Sequence, residues 1–231
     1  MFYYYGSKTL LAKYYPEPKY NFILEPFAGS AAYSIYHLSR NKKIKTFLFE
    51  NDKRVVETWH KVLSMSEKDI INYPTPNIGE MTGDFLIMTC AVSNAVARCS
   101  KLKFTERLAR VFEIQKRRLI KALYLKDRIE VVLSDYSETP NIKESTVFID
   151  PPYQITKSVN KKTVFANGNG YGKNSSSDKL DYKQLSDWCR SRLGQTIVCE
   201  KAGADWLPFI NLKNGKSSMG KNYKEVFWAK E

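Results

Sequence analysis

The chain is poor in the residues that hold metals and in those that cross-link secreted proteins. It has two histidines, His37 and His60, and four cysteines, Cys90, Cys99, Cys189 and Cys199, with no Cys-x-x-Cys pair among them. That inventory builds no zinc site, and no metal is expected; the cysteines read as reduced interior thiols. The N-terminal Met-Phe-Tyr-Tyr-Tyr-Gly-Ser-Lys lacks the charged-then-apolar order of a secretory signal, and no apolar run is long enough to span a bilayer. A cytoplasmic protein without a membrane partner is expected. Acidic residues are also scarce, 24 Asp and Glu against 37 Lys and Arg, a formal charge of +13. A basic balance of this size favours a polyanionic partner, because each lysine or arginine set against a phosphate releases a condensed counterion.

What remains is sufficient for a core. With 43% hydrophobic and 13% aromatic residues over 231 positions, the chain can form one α/β domain carrying a modest insertion. Phe22-Ile23-Leu24-Glu25 is a short apolar run that stops at Pro26-Phe27-Ala28-Gly29-Ser30, and Ala31 to Leu38 is helix-compatible: a strand, a turn and a helix. A second strand, Thr46 to Phe49, ends at Glu50, about 20 residues beyond the turn, as a Rossmann-like βαβ unit requires. Further strands over 129–133, 146–149 and 196–199 run into Asp135, Asp150 and Glu200, and residues 225–229 read as a closing strand. Strand ends that deliver polar residues to one edge of a parallel sheet outline a single ligand crevice.

Residues 53–126 differ, with helical periodicity and few strand signals. Phe104, Leu108, Val111, Phe112, Leu119 and Leu123 recur at helical spacing. From Arg98 to Arg128 there are eleven Lys and Arg against Glu106, Glu113 and Asp127, so more than half of the excess charge lies here. A solvated helix face or a phosphate-binding surface would both produce it. Asn167 to Asp178, rich in Gly, Asn and Ser, reads as a mobile loop.

Asp150-Pro151-Pro152-Tyr153 is the stretch most telling of chemistry. The lone pair of an exocyclic amino group on a base is delocalised into the ring and is a poor nucleophile. A carboxylate (Asp150) and a main-chain carbonyl (Pro151) that accept its two N–H groups would pull the nitrogen toward tetrahedral geometry and localise that lone pair. Prolines carry no N–H and stiffen the turn that presents both acceptors. Tyr153 is suited to stack on a base extruded from a duplex.

Tyr4-Tyr5-Gly6-Ser7-Lys8, Glu25-Pro26-Phe27-Ala28-Gly29-Ser30, an insertion, and then Asp150-Pro151-Pro152-Tyr153 resemble, in that order, the motifs of the Dam-type (D12 class, α-group) DNA adenine-N6 methyltransferases. The resemblance spans the chain in arrangement and only these stretches in identity. It implies a Rossmann-like S-adenosylmethionine-dependent fold, with residues 1–59 and 127–231 catalytic and 60–126 a mostly helical target recognition insertion. The activity implied is methyl transfer to adenine N6 in double-stranded DNA, with no covalent intermediate, in a prokaryotic or phage-infected cell. By the same resemblance, residues 25–30 approach the methionine part of the cofactor, and Tyr4 and Lys8 complete its pocket, Lys8 facing its carboxylate. Glu50 receives the ribose hydroxyls, and Asp135 with Tyr136 holds the adenine ring. Ala31 departs from the family, where a further glycine is common. Lys101, Lys103, Arg107, Arg110, Arg117 and Arg118 are the implied DNA contacts, with Lys157, Lys161, Lys162 and Tyr171 on a loop that closes over the flipped base. Related enzymes act on cytosine N4, RNA adenine or glutamine amides. The cytosine-N4 pattern typically begins with serine and the glutamine pattern with asparagine, so Asp150 favours adenine. A silent nucleic-acid-binding module with this fold is the alternative from another class. The target sequence, the biological role (restriction protection among them) and the oligomeric state stay open, with a monomer favoured.

Overall fold

The computed structural model of the chain describes Phe2 and residues 6–90, 101–154, 180–216 and 222–231. In chain order its elements are β1 (Phe22–Glu25), α1 (Ala32–Leu38), β2 (Lys45–Glu50), α2 (Lys53–Ser64), α3 (Glu67–Ile71), β3 (Gly79–Thr82), α4 (Asp84–Cys90), β4 (Lys101–Phe104), α5 (Glu106–Ala122), β5 (Ile129–Leu133), β6 (Thr146–Ile149), α6 (Tyr182–Ser191), β7 (Gln195–Lys201), β8 (Ile210–Lys216) and β9 (Asn222–Lys230). The class is mixed α/β. Seven strands form one sheet in the order β5-β2-β1-β6-β7-β9-β8. The first five are mutually parallel, and β9 enters antiparallel to both β7 and β8. Strand order therefore reverses between β1 and β6, the place where an open parallel sheet leaves a crevice beyond its carboxyl ends.

Alternation along the strands builds two cores. Ile23, Leu48, Phe148, Ile197 and Cys199 face one side of the sheet, where Tyr33 and Leu38 of α1 and Val55, Trp59 and Val62 of α2 cover them. Leu24, Phe49, Val147, Ile149 and Val198 face the other, covered by Leu185 and Cys189 of α6. Both faces are covered, so the central strands are buried on both sides: every residue of β6 is buried, as are all but the last of β7. Helix starts are set by short polar side chains. Asp52 accepts the Arg54 N–H, Thr105 the Leu108 N–H, and Asp181 those of Lys183 and Gln184.

Between α2 and β5 the chain forms α3, α4 and α5 together with a two-stranded antiparallel ribbon of β3 and β4. The ribbon was not expected. Phe104 ends β4 rather than starting a helix, and it is fully buried with Phe112 and Leu119 of α5. These side chains, with Ile87 and Met88 of α4, join the apolar cluster under the sheet as one continuous body. The expected boundary at 59/60 falls inside α2. Among the described residues, no helix is long and apolar enough to cross a membrane.

Candidate active site at the sheet edge

The turn after β1 is pinned from three directions. Gly29 N–H donates to Glu50 Oε2 at 2.9 Å, Trp59 Nε1 donates to the Gly29 carbonyl at 2.8 Å, and Ser30 Oγ donates to Ser7 Oγ at 2.8 Å. Pro26, Ala28, Gly29 and Ser30 are buried, and Phe27 is partly exposed. Gly29 takes φ 46° and Ala31 φ 49°. The alanine thus stands in the left-handed region that glycine occupies without penalty.

The acids of the strand ends are buried and already engaged. Glu25 accepts the Ser34 N–H at 2.7 Å, yet burial without a cation pushes its pKa up to about 8, Asp150 adding to the shift. Glu50, raised by burial, uses Oε2 for Gly29 and Oε1 for the Asp52 N–H at 3.0 Å. Its carboxylate thus braces the turn after β1. Glu200, at the end of β7, is pushed up to about 7 by burial. It receives Gln154 N–H at 3.1 Å and Trp206 Nε1 at 3.0 Å, and so anchors the residue after Tyr153.

Asp135 caps a short 3-10 turn, receiving both Ser137 N–H (3.0 Å) and Ser137 Oγ (2.6 Å). Beside it Tyr136 stacks on Phe27, centroids 5.3 Å apart, and meets Trp188 edge-on. The Phe27 and Tyr136 rings wall a cavity of about 240 Å³, also lined by Asn51, Asp135, Pro152, Leu180 and Asp181. Three turns named from the sequence, those at Phe27, Asp135–Tyr136 and Pro152, therefore share one cavity at the strand-order reversal.

Asp150 stands at the end of β6 with its side chain 21% exposed, and Pro151 behind it is buried. Burial raises its pKa while the Lys8 ammonium, 2.8 Å from Oδ1, lowers it, and the net shift is upward. Lys8 itself is buried and donates to the Gly6 carbonyl at 2.8 Å. Its Nζ is 3.7 Å from Glu225 Oε1 and 4.7 Å over the Tyr153 ring. Burial works against that ammonium, but the Asp150 and Glu225 carboxylates hold it well above the ordinary lysine value. The Tyr153 hydroxyl donates to Glu225 Oε1, as does that of Tyr15 at 2.7 Å. Lys8, expected against a cofactor carboxylate, is paired here with Asp150.

Glu225, Tyr15 and Trp59 were not foreseen as site residues. For Glu225 the signal was an acid opening the otherwise apolar run Glu225-Val226-Phe227-Trp228. Among the implied DNA contacts, Lys103 is exposed on β4, and Lys101 belongs to the same strand. Arg107, Arg110, Arg117 and Arg118 are exposed on α5, where 3- and 4-residue steps put them, with Lys121, on one face opposite Phe112 and Leu119. Tyr4, Lys157, Lys161, Lys162 and Tyr171 lie outside the described residues.

No protein-family model matches the chain, and no curated protein matches it. Among solved structures it is similar to the putative methylase HI0767 of Haemophilus influenzae, at 13% identity over 95% of this chain and 83% of that one, with a TM-score of 0.38. A likeness of that size decides nothing about function, which rests on the geometry above.

Proposed function

We propose that the chain transfers a methyl group from S-adenosylmethionine to N6 of adenine in double-stranded DNA. The observation that carries this reading is that Pro152 of the acceptor tetrapeptide lines the same cavity as Phe27, Asp135 and Tyr136. The residues fit the cofactor: an aromatic wall for a purine, an acid beside it for an amino group, and a Cβ-free turn at Gly29 for close backbone approach. When bound, the cofactor supplies an electrophilic sulfonium methyl.

The chain's own work is positioning and proton-acceptor geometry. Asp150 and the Pro151 carbonyl accept the N–H groups of the amine, turning its lone pair outward. Tyr153, its hydroxyl anchored on Glu225, offers a fixed ring face for the base. Tyr182 donates to the Pro152 carbonyl at 2.7 Å, and Glu200 takes the Gln154 N–H, so the loop is fixed on both sides of Tyr153. The basic face of α5 favours a duplex partner through its phosphates.

Methyl-labelled S-adenosylmethionine and unmethylated duplex DNA of mixed sequence test the reading. Asp150→Ala should lower transfer by about a thousandfold or more while DNA affinity stays within about threefold. Normal turnover by that variant removes Asp150 from the chemistry.

A further inference from the structure

Among the described residues, the site carries one buried cation and more carboxylates than that cation can neutralise. Asp150 is faced by Glu25 from β1, Glu200 and Cys199 from β7, Glu225 from β9, Tyr15 from the N-terminal segment and Tyr153 from its own loop. Against them stands Lys8, whose ammonium lies 2.8 Å from Asp150 and 3.7 Å from Glu225. Glu225 is itself almost wholly buried; it accepts the hydroxyls of Tyr15 and Tyr153 and stands beside the Lys8 ammonium, joining the N-terminal segment to the loop after β6. A carboxylate so placed on a closing strand adds little to packing that an apolar residue would not supply, and it requires the cation beside it.

We infer that Lys8 and Glu225 are a pair of positioning residues for the acceptor site, Glu225 holding the Lys8 ammonium against one oxygen of Asp150 and the Tyr153 hydroxyl in the same grip. The inference rests on the methyl-transfer reading for its purpose and on these contacts for its content. An amine can donate N–H only to an ionised or otherwise free carboxylate oxygen. In a pocket that favours the neutral acid, the ammonium favours the charged form of Asp150 and fixes the orientation of the carboxylate that the substrate amine meets. Tyr153, tied to the same anchor, keeps its ring at a fixed height relative to that carboxylate. Lys8 thereby serves the acceptor end of the site, in place of the cofactor carboxylate that the resemblance implies.

Titration of the 231-residue chain tests this without any turnover. With carboxyl-carbon-13 aspartate and the Asp150 signal assigned by Asp150→Asn, Lys8→Met should move the Asp150 midpoint to higher pH. Because Lys8→Met strands two buried acids, the charge-balanced K8M/E225Q double variant is the safeguard. It should show the same upward direction, since the ammonium acts more strongly on Asp150 than Glu225 does. A midpoint that stays in place in both overturns the inference. Calorimetry with S-adenosylmethionine supplies the second arm. Affinity within about threefold of the wild type in the double variant supports an acceptor-side role, and a loss of more than about tenfold returns Lys8 to the cofactor. For Glu225, the effect of K8M on the midpoint should shrink in the E225Q background; strict additivity removes Glu225 from the pair. Methyl transfer by the wild type is scored separately. A wild type that transfers nothing to DNA counts against the proposed activity, while an unmoved midpoint counts against the Lys8–Glu225 pairing alone.

Discussion

The charges at the sheet edge and those on α5 follow opposite rules. At the edge, Glu25, Glu50, Glu200 and Glu225 are buried and each already holds a backbone or side-chain donor; burial raises the proton affinities of Glu25, Glu50 and Glu200, with Asp150 adding to the first and the last. On α5, Arg107, Arg110 and Arg117 stand in solvent along one helix face. Buried charges of the first kind are specific and costly to disturb singly, because each substitution strands its partners. Exposed charges of the second kind are weak one by one and add up only against a polyanion. A single chain that carries both has an interior suited to gripping one small group and an exterior suited to a long charged partner.

The comparison can be broken most forcefully on the outside. Arg107→Glu with Arg117→Glu should weaken duplex affinity by about a hundredfold at physiological salt and flatten the logarithmic salt slope by about 2, while turnover at saturating DNA changes by less than about threefold. Affinity titrations across a salt series check this; an unchanged slope puts α5 off the interface.

Inside, the effect is one of pH. Folded Glu25 keeps its proton until about pH 8, whereas in the unfolded chain it ionises in the ordinary carboxylate range. Its raised value therefore contributes stability that is complete below that ordinary range and is lost as pH climbs toward about 8. Glu200, raised to about 7, acts in the same direction over a shorter window. Glu25→Gln keeps an acceptor for the Ser34 N–H and cannot ionise, so chemical denaturation from pH 5 to 8.5 should show a visibly flatter decline than the wild type. Parallel curves for the two proteins contradict the buried, uncharged Glu25.

The smallest change concerns the backbone of the turn. Ala31 pays for a left-handed φ that glycine adopts freely, against the extra freedom glycine gains when unfolded. Ala31→Gly should leave stability within about 1 kcal/mol of the wild type and methyl transfer intact. A large loss by thermal unfolding indicates that the buried methyl matters more than the dihedral.

Much of this arrangement is legible in the chain itself, for reasons that can be named. β1, β5 and β6 take the bounds read from sequence because each is a short, mainly apolar and β-branched run stopped by an acid, a serine or a proline. The turns at Phe27, Asp135 and Pro152 are readable because local chemistry forms them, and sheet order brings them together. β4 was missed because Lys101-Leu102-Lys103-Phe104 is too short to announce its alternation beside a long helix, and Phe104 also fits that helix's period. β8 hid in the polar stretch Asn211-Leu212-Lys213-Asn214-Gly215 at the sheet's margin. The role of Lys8 was unreadable for a different reason: its partners Asp150 and Glu225 lie far along the chain, and only the fold chooses between them and a ligand.

Nuclease digestion of duplex DNA after incubation with the wild-type chain and methyl-labelled S-adenosylmethionine, followed by separation of the nucleosides, tests the central claim most directly. The account predicts that the label elutes with N6-methyldeoxyadenosine. Label on cytosine, transfer to RNA alone, or a folded protein that binds the cofactor and labels nothing contradicts it.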